Sequence, residues 1–315
     1  MKIAILGATS HLAKGLIYNF LNDDKFSLSL YTRNIGQVNS FIDSIGKTGS
    51  KNYSVIYEYD DFLNYSYDLI INCTGAGTYK KLDGKFSSFF TITEKYDNLC
   101  IQSLLNYPGS LYISFSSGAV YGRGLSKPVN ENTSNKLRVN HLKPEDFYTI
   151  ARLNAENKHR AFNNLKIVDL RIFSYFSRFI DLADGYFIAE IIDSIINNRI
   201  LITNKSNIVR DYVHPEDIFS LILKCAEKDF INEAFDVMSA KPIDKYEILD
   251  FFSRKYDLKY EMNDEYEHVN STGTKIVYYS RYNKASMIGF KPGYTSAEAI
   301  KSEAEIIIKN NKSML

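Results

Sequence analysis

Several features that mark specialised classes of protein are scarce in this sequence. Positive and negative charges almost cancel, with 38 Lys and Arg residues against 37 Asp and Glu residues, so no broad basic surface for nucleic acid is expected. The three cysteines are too few and too scattered for a disulfide framework or a tetrahedral zinc site. The five histidines show no metal-ligand spacing. These shortages predict a protein of the reducing cytoplasm that binds neither nucleic acid nor metal.

Long apolar runs are also missing. No stretch reaches the roughly 18 to 20 apolar residues of a membrane-spanning helix, and the N-terminus lacks the pattern of an export signal. Apolar residues nevertheless make up 45% of the 315 residues, enough to bury a core in about two domains. We therefore expect a folded chain with no membrane anchor.

Short apolar runs alternate with helical patterns through the first half of the chain. This alternation implies parallel strands joined by helical crossovers, and runs that are apolar on both faces imply helices on both sides of the sheet. The fold class is therefore predicted to be α/β, with a doubly wound parallel sheet. The predicted strands are 3–6, 27–31, 53–57, 68–73, 110–116 and 166–172, and the predicted helices follow the first strand and lie at 91–105 and 146–163.

The second half of the chain has a less regular pattern, which predicts a smaller mixed α/β domain. We expect a dinucleotide-binding domain at 1–170, to which the chain returns at 212–238, and a substrate-binding domain at 171–211 and 239–315. The long polar loop at 122–141 is typical of functional lids. Further predicted helices lie at 183–198, from Pro215, at 243–254 and at 295–308, and further strands lie at 208–213, 233–237, 257–261 and 275–279.

The turn after the first strand contains only one of the three glycines usual in a phosphate-binding turn. Gly7 is present, while Ser10 and Ala13 occupy the other two positions. Small residues there allow a close approach to a pyrophosphate at the start of a helix. The pattern is compatible with a nucleotide site and equally with an ordinary strand-to-helix turn.

The end of the second strand lacks the acidic residue that binds the ribose hydroxyls of NAD. Thr32, Arg33 and Asn34 stand there instead. A guanidinium and a hydroxyl suit a 2′-phosphate, so NADP(H) is favoured and NAD(H) remains possible. The alternative is that Arg33 is a solvated loop charge.

Ordered motifs carry a family resemblance across nearly the whole chain. Residues 116–122 read SSGAVYG at the end of an apolar strand, and Tyr148 begins a Tyr-x-x-x-Arg pattern on a helix. Residues 210–218 (RDYVHPEDI) and 284–292 (KASMIGFKP) follow in order. With the turn at Gly7, the chain resembles the extended short-chain dehydrogenase/reductases, the nucleotide-sugar epimerases, dehydratases and reductases. The resemblance implies a Rossmann-type first domain.

The resemblance also implies roles for site residues. Tyr148 would be the general acid/base, and Ser117 would bind the substrate oxygen. The family's lysine is replaced by Arg152, which keeps a cation on the same helix face but cannot donate a proton at working pH. The implied cofactor contacts are Gly7, Thr9, Ser10, His11, Leu12, Thr32, Arg33, Asn34, Asp61, Thr74, Gly75, Tyr148 and Arg152.

A nucleotide-diphosphate sugar is the substrate class that the resemblance implies. Arg210 resembles the family residue that clamps the diphosphate. The substrate loop is unusual, because Ser174 replaces the family's asparagine and Ser177-Arg178 replaces Gly-Pro. Arg178 and Arg281 are each compatible with a phosphate contact or a solvated charge. The implied substrate contacts are Ser117, Gly118, Ser174, Arg178, Arg210 and Arg281.

The residues after Ser117 bear on the type of reaction. Dehydratases of the family carry Asp-Glu there, and one class of epimerase-reductase carries a cysteine at the first position, whereas this chain has Gly118 and Ala119. Two redox activities remain: an NADPH-dependent keto-sugar reductase, which Arg33 favours, and a 4-epimerase with tightly held NAD. A catalytically silent NADP-binding regulator is the alternative from another class. The resemblance also implies a homodimer, because the family's counterparts of the helices at 91–105 and 146–163 commonly pair with their copies.

Overall fold

The structure is a computed structural model that describes residues 1–57, 59–75, 82, 84–263 and 275–312. The helices are α1 (His11–Phe20), α2 (Ile35–Ser44), α3 (Ser88–Asn106), α4 (Pro144–Ala161), α5 (Phe187–Ile196), α6 (Pro215–Ala226), α7 (Lys245–Tyr256) and α8 (Ser296–Lys312). The strands are β1 (Lys2–Leu6), β2 (Ser27–Thr32), β3 (Tyr53–Tyr57), β4 (Leu69–Asn72), β5 (Leu111–Ser117), β6 (Ile167–Ile172), β7 (Ser174–Tyr175), β8 (Leu201–Thr203), β9 (Val209–Arg210), β10 (Tyr212–Val213), β11 (Asn232–Val237), β12 (Ile243–Asp244), β13 (Tyr260–Met262) and β14 (Val277–Tyr278).

Among the described residues, a seven-stranded parallel sheet has the order β11-β6-β5-β4-β1-β2-β3. Its strands are apolar on both faces because separate clusters of buried side chains cover the two sides. The strand order reverses between β1 and β4, and ligands of such sheets bind at this point, beyond the carboxyl ends of the strands. The predicted doubly wound Rossmann-type sheet is confirmed.

Helix α2 is absent from the predicted elements. Its buried residues are only Val38, Phe41 and Ile42, too short a pattern to stand out from the polar residues around them. Asn34 begins the helix by accepting a hydrogen bond from the backbone N–H of Gln37 at 3.0 Å. This helix therefore depends on a cap and on packing against the sheet more than on a long apolar stripe.

The predicted strand at 208–213 is two strands with different partners. β9 pairs with β12 and β14, whereas β10 pairs with β7. The chain changes partners at Asp211, whose buried carboxylate accepts hydrogen bonds from the Ser239 backbone at 3.0 Å and the Ser296 hydroxyl at 3.2 Å. Pairing of such short strands is set by distant residues, so local periodicity could not reveal the break.

A second apolar core lies between α5, α7 and α8. Its members include Ile191 of α5, Phe252 of α7 and Ile300 of α8, each almost fully buried. All of its buried members come from the segments 171–211 and 239–315. A separate core of this composition supports the division into two domains, which remains a proposal. Within the described ranges, no helix combines the length and apolar character needed to cross a bilayer.

A buried histidine joins the helices and the sheet on one face. His159 of α4 lies between two carboxylates, with Nε2 at 2.6 Å from Asp97 of α3 and Nδ1 at 2.8 Å from Asp169 of β6. Lys158 and Arg160 pair with the same two carboxylates. Both ring nitrogens face acceptors, so the imidazole is held in its charged form. Burial lowers the pKa of His159, but Asp169 and Asp97 raise it, with a net value of about 9.

We expect the stability of the protein to depend on this histidine in a defined pH window. The pKa of His159 in the folded protein is above its ordinary value of 6.5. The stabilising effect of the charged ring is therefore complete below pH 6.5 and is lost as the pH rises through about 9. Relative to the wild type, His159→Gln should lower the free energy of unfolding by ~3 kcal/mol near pH 6 and by much less near pH 10. Urea unfolding followed by circular dichroism measures the difference.

His141→Gln is the matched control, because His141 is exposed in the polar loop. It should change the unfolding free energy little at either pH. A His159→Gln difference that stays constant from pH 6 to pH 10 would contradict the assignment of a charged His159.

Candidate active site

The turn between β1 and α1 requires a glycine at position 7. Gly7 has a φ of +72°, a conformation that L side chains rarely adopt. A Cβ atom there would lie 3.0 Å from the carbonyl carbon and oxygen of Cys73 and from the backbone nitrogen of Thr74. The absence of a side chain thus lets the turn lie directly against the end of β4, at the point where the strand order reverses.

The N-terminus of α1 is open beyond this turn. Ser10 caps the helix by accepting a hydrogen bond from the backbone N–H of Ala13 at 3.2 Å. The N–H groups of His11 and Leu12, the first two residues of α1, have no acceptor within the helix. Such groups, together with the helix dipole, attract phosphate. Thr9 belongs to the same turn.

His11 does not add charge to this turn. Its Nε2 lies 2.7 Å from the hydroxyl of Ser177, and its ring packs against Tyr175 at a centroid distance of 4.7 Å. Burial lowers the pKa of His11 to about 4, so the ring is neutral at pH 7. The side chain therefore holds the loop after β6 against α1, and its backbone N–H is the group that remains for a phosphate.

Of Thr32, Arg33 and Asn34 at the end of β2, only Arg33 has an exposed side chain with no hydrogen bond to another described residue. The Thr32 hydroxyl is buried and accepts a hydrogen bond from the Asn34 backbone at 2.9 Å. The Asn34 side chain caps α2. Arg33 is exposed, and the described part of the chain shows no carboxylate paired with it. The Arg33 guanidinium is close enough to Tyr59 for its charge to act against the rise in the pKa of that phenol that burial causes. The Tyr59 phenol oxygen in turn accepts a hydrogen bond from the Gly7 backbone N–H at 3.3 Å.

The remaining predicted cofactor residues lie along the same edge of the sheet. Thr74 donates from its backbone N–H and its hydroxyl to the Asn72 side chain at 3.0 and 2.5 Å, which fixes the turn after β4. A Cβ atom on Gly75 would lie 3.7 Å from the guanidinium of Arg152. Asp61 is exposed after β3 and accepts from the Asn64 side chain at 3.0 Å. The turns after β1 and β4 thus lie against each other at this edge, with Arg152 beside the second turn.

Ser117, Tyr148 and Arg152 lie at the same end of the sheet as these turns. Ser117 is the last residue of β5, and Tyr148 and Arg152 lie one turn apart on α4. The guanidinium carbon of Arg152 lies 5.3 Å from the centroid of the Tyr148 ring. The Thr149 hydroxyl donates to the Ala119 carbonyl oxygen at 3.1 Å, which ties α4 to the segment after β5.

Arg152 has spare hydrogen-bonding capacity. Its Nε atom is buried without an acceptor among the described residues. An unpaired buried donor is costly, and it indicates a partner such as a ribose hydroxyl or an ordered water.

Sequence reasoning missed Tyr278, which comes from β14. Its phenol oxygen lies 3.1 Å from the Ser117 Oγ, and the residue is 3% exposed. It is also close enough to Tyr148 for the two phenols to interact electrostatically. Burial raises the pKa of Tyr278, so this phenol is neutral. No local signal separates Tyr278 from the other 23 tyrosines of the chain, because its contact with Ser117 spans 161 residues.

A polar network behind the strand ends was also missed. Arg171 of β6 binds the carboxylate of Glu156 of α4 through its Nε and Nη2 atoms, at distances of 2.6 to 3.1 Å. Ser116 donates to the same carboxylate. Arg171 also donates to the Tyr121 hydroxyl at 2.7 Å, and that hydroxyl donates to Asp236 of β11 at 3.0 Å. The network locks α4 and three neighbouring strands beneath Ser117.

Two of the predicted substrate residues are committed to structural partners. The Arg178 guanidinium is bound by the buried Glu303 of α8, with Nε at 3.0 Å, and lies over the ring of Tyr18. Arg210 is buried and donates to the backbone carbonyl oxygens of Val209, Lys275 and Ile276. These contacts give both guanidinium groups partners within the protein, and the substrate contacts implied for Arg178 and Arg210 stay predictions.

The other predicted substrate residues have different surroundings. A Cβ atom on Gly118 would lie 2.4 Å from the ring of Phe173, so no larger residue fits there without moving that ring. Ser174 lies in β7 beside β10, and Arg281 is exposed.

Lys275 is a cation that sequence reasoning missed. It is 8% exposed, and its ammonium lies 4.1 Å from the centroid of the Tyr278 ring. Burial and the neighbouring Arg210 lower its pKa to about 8. No carboxylate among the described residues forms an ion pair with it.

The described ranges contain no group of three or more His, Cys, Asp or Glu side chains arranged to hold a metal ion.

The fold is shared with several solved structures. UDP-glucuronic acid 4-epimerase from Bacillus cereus, solved with UDP-glucuronic acid and NAD, is 17% identical with a TM-score of 0.74, covering 98% of this chain and 99% of that one. UDP-N-acetylglucosamine 4-epimerase from Methanobrevibacter ruminantium is 18% identical with a TM-score of 0.79, covering 98% of both chains. dTDP-glucose 4,6-dehydratase from Bacillus anthracis, solved with NAD, is 15% identical with a TM-score of 0.76, covering 99% and 98%.

Sequence comparison gives a relative and a family. An uncharacterized protein of Methanocaldococcus jannaschii is 24% identical over 205 residues, which are 64% of this chain and 60% of that protein. This chain thus spans less than two thirds of the relative's length. A sequence model described as the NAD dependent epimerase/dehydratase family matches residues 48–237, more than half of the chain. The protein belongs to the NAD dependent epimerase/dehydratase family.

Proposed function

We propose that the protein is a cytoplasmic NADP(H)-dependent reductase of a keto group on a nucleotide-linked deoxysugar. The observation that carries this proposal is the convergence of Ser117, Tyr148 and Arg152 beside the turns after β1 and β4. A hydroxyl, a phenol and a cation at this place suit proton transfer to a substrate oxygen next to a bound dinucleotide. Membership of the family and the nucleotide-sugar ligands of fold relatives support the substrate class.

The residues around the turns after β1 and β4 fit a dinucleotide. The first turn of α1 offers backbone N–H groups for the pyrophosphate, and Gly7 leaves room for close approach. The unpaired Nε of Arg152 suits a ribose hydroxyl. Arg33 suits a 2′-phosphate, and no acidic residue stands at the end of β2 to bind the ribose of NAD. When bound, the nicotinamide supplies a hydride to the carbonyl carbon.

Each catalytic side chain has a distinct task in this proposal. Ser117 donates a hydrogen bond to the carbonyl oxygen, which orients the substrate. Tyr148 gives its phenolic proton to that oxygen as negative charge develops. Arg152 lies one helical turn away, and its charge stabilises the phenolate that Tyr148 becomes. Because a guanidinium does not release a proton, Tyr148 must regain its proton from water or from a ribose hydroxyl.

Substrate contacts are proposed from the groups that remain available. Lys275 is the buried cation nearest to Tyr278, and it suits the diphosphate better than Arg210, which donates to three backbone carbonyls. Arg281 and Ser174 stay in the proposed set beside Ser117 and Gly118. Arg178 is left out, because Glu303 binds its guanidinium.

A second candidate is a nucleotide-sugar 4-epimerase that holds NAD and reuses it. The observation that favours it is the likeness in fold to two 4-epimerases. The same Ser117 and Tyr148 would serve that reaction. Dehydration is disfavoured, because Gly118 and Ala119 provide neither acid nor base.

The proposed assembly is a homodimer in which α3 and α4 pair with their copies. The two helices pack together through Phe89 and Tyr148, whose ring centroids are 5.2 Å apart. Light scattering at micromolar concentration should show a dimer, and a monomer would remove the assembly from the proposal.

The cofactor assignment predicts that NADPH binds more tightly than NADH. Arg33→Ala should remove most of a difference of ~1.5–3 kcal/mol, because the substitution deletes a charge-assisted contact with the 2′-phosphate. Calorimetric titration measures both affinities. Arg254→Ala removes an exposed arginine of α7 and should leave both unchanged. Equal affinities in the wild type would rule out the NADP(H) preference.

The proton-donor assignment predicts that Tyr148→Phe retains cofactor affinity and loses turnover. Removing a general acid should lower kcat by at least ~10²-fold. Steady-state assays with 4-keto-6-deoxy sugar nucleotides measure the loss. Turnover close to that of the wild type would mean that another group supplies the proton.

Label transfer separates reduction from epimerisation. A reductase should oxidise one NADPH for each product and place deuterium from labelled NADPH on a sugar carbon. Cofactor absorbance and product mass are followed in the same incubation. Isomerised sugar nucleotide without label and without cofactor oxidation would replace the reductase proposal with the epimerase.

A further inference from the structure

The hydroxyl of Ser117 has two protein neighbours. The backbone N–H of Ala119 donates to Oγ at 3.2 Å, and the Tyr278 phenol oxygen lies 3.1 Å from the same atom. A serine hydroxyl carries one hydrogen and two lone pairs. Ala119 occupies one lone pair, so the direction of the bond with Tyr278 decides where the single hydrogen of Ser117 points.

Tyr278 is held in place independently of its hydroxyl. Its ring packs against Phe173 at a centroid distance of 5.1 Å and against the ammonium of Lys275. Its backbone pairs with Arg210 in the register of β14 and β9. The phenol is neutral, because burial raises its pKa, and it therefore has a hydrogen to donate. A Phe at this position would keep the ring contacts and lose only the hydroxyl.

We propose that Tyr278 is a positioning residue that donates its phenolic hydrogen to the Ser117 Oγ and thereby directs the Ser117 hydrogen toward the substrate carbonyl oxygen. With both lone pairs occupied by Ala119 and Tyr278, the Ser117 hydrogen has no protein acceptor among these partners. The substrate oxygen then becomes its acceptor. The inference rests on the proposed role of Ser117 as the carbonyl-binding hydroxyl. The motifs identify the hydroxyls of Ser117 and Tyr148. The proposal adds the hydroxyl of Tyr278, which comes from the C-terminal part of the chain.

Tyr278→Phe should lower kcat by about 5- to 10-fold with little change in KM, because one orienting hydrogen bond is lost. The melting temperature should stay close to that of the wild type, since the ring contacts remain. Tyr260→Phe, at an exposed tyrosine of β13, is the matched control and should have no effect on kcat. If the Tyr278 oxygen instead accepts the Ser117 hydrogen, removing the Tyr278 hydroxyl makes that hydrogen available to the substrate. An unchanged or increased kcat in Tyr278→Phe would therefore overturn the proposal.

A double-mutant cycle tests whether Tyr278 acts through Ser117. In the Ser117→Ala background, Tyr278→Phe should cause no further loss of kcat, because the hydroxyl that it orients is gone. A loss of the same size in both backgrounds would show that Tyr278 acts independently of Ser117 and would overturn the proposal. A purely structural role would lower the melting temperature and affect both backgrounds alike.

A spectroscopic measurement decides the contact without any assay of turnover. The protein is labelled with ¹³C at the tyrosine ζ carbon, and the NMR signal that disappears in Tyr278→Phe is assigned to Tyr278. That signal should shift in Ser117→Ala. An unmoved signal would show that the bond is absent in solution. If the wild type turns over no sugar nucleotide, the proposed function fails, while this measurement still decides whether Tyr278 binds Ser117.

Discussion

The bidentate ion pair between Glu156 and Arg171 is the interaction on which the geometry of the site depends. It fixes α4, which carries Tyr148, to β6. Glu156 also accepts a hydrogen bond from the hydroxyl of Ser116, the residue next to Ser117. Removing one partner of such a buried pair typically costs about 3–5 kcal/mol, because the other charge is left without compensation. The pair therefore fixes the helix that carries Tyr148 against β6 and against the end of β5, which carries Ser117. Tyr121 and Asp236 extend the same constraint to β11.

In the loop after β6, two residues that depart from the family pattern form side-chain contacts with distant parts of the chain. Ser177, which stands in place of the family's glycine, lies in hydrogen-bonding contact with His11 of α1. Arg178, which stands in place of the proline, is bound by Glu303 of α8. The loop is thus fixed to the turn that would hold the pyrophosphate and to the last helix of the chain.

Local sequence was sufficient to predict the parallel sheet, because strands such as β1 and β4 are continuous apolar runs that only a sheet covered on both faces can bury. It was also sufficient to predict that Ser117 and Tyr148 lie at the carboxyl edge of that sheet. It gave no sign of distant partners: the ion pair of Arg178 with Glu303, 125 residues away, was not predicted. Tyr278 was invisible for the same reason, since nothing near it in the chain indicates Ser117.

The contact between Phe173 and Gly118 also limits how this protein can change. Position 118 is where dehydratases of the family carry an aspartate, yet the Phe173 ring occupies the space that any side chain there would need. A single mutation that introduced an acid would first meet a steric clash in a packed aromatic cluster, before it offered any new chemistry. An acidic side chain at position 118 therefore needs a second substitution, one that makes the residue at position 173 smaller, before it fits without displacing the ring.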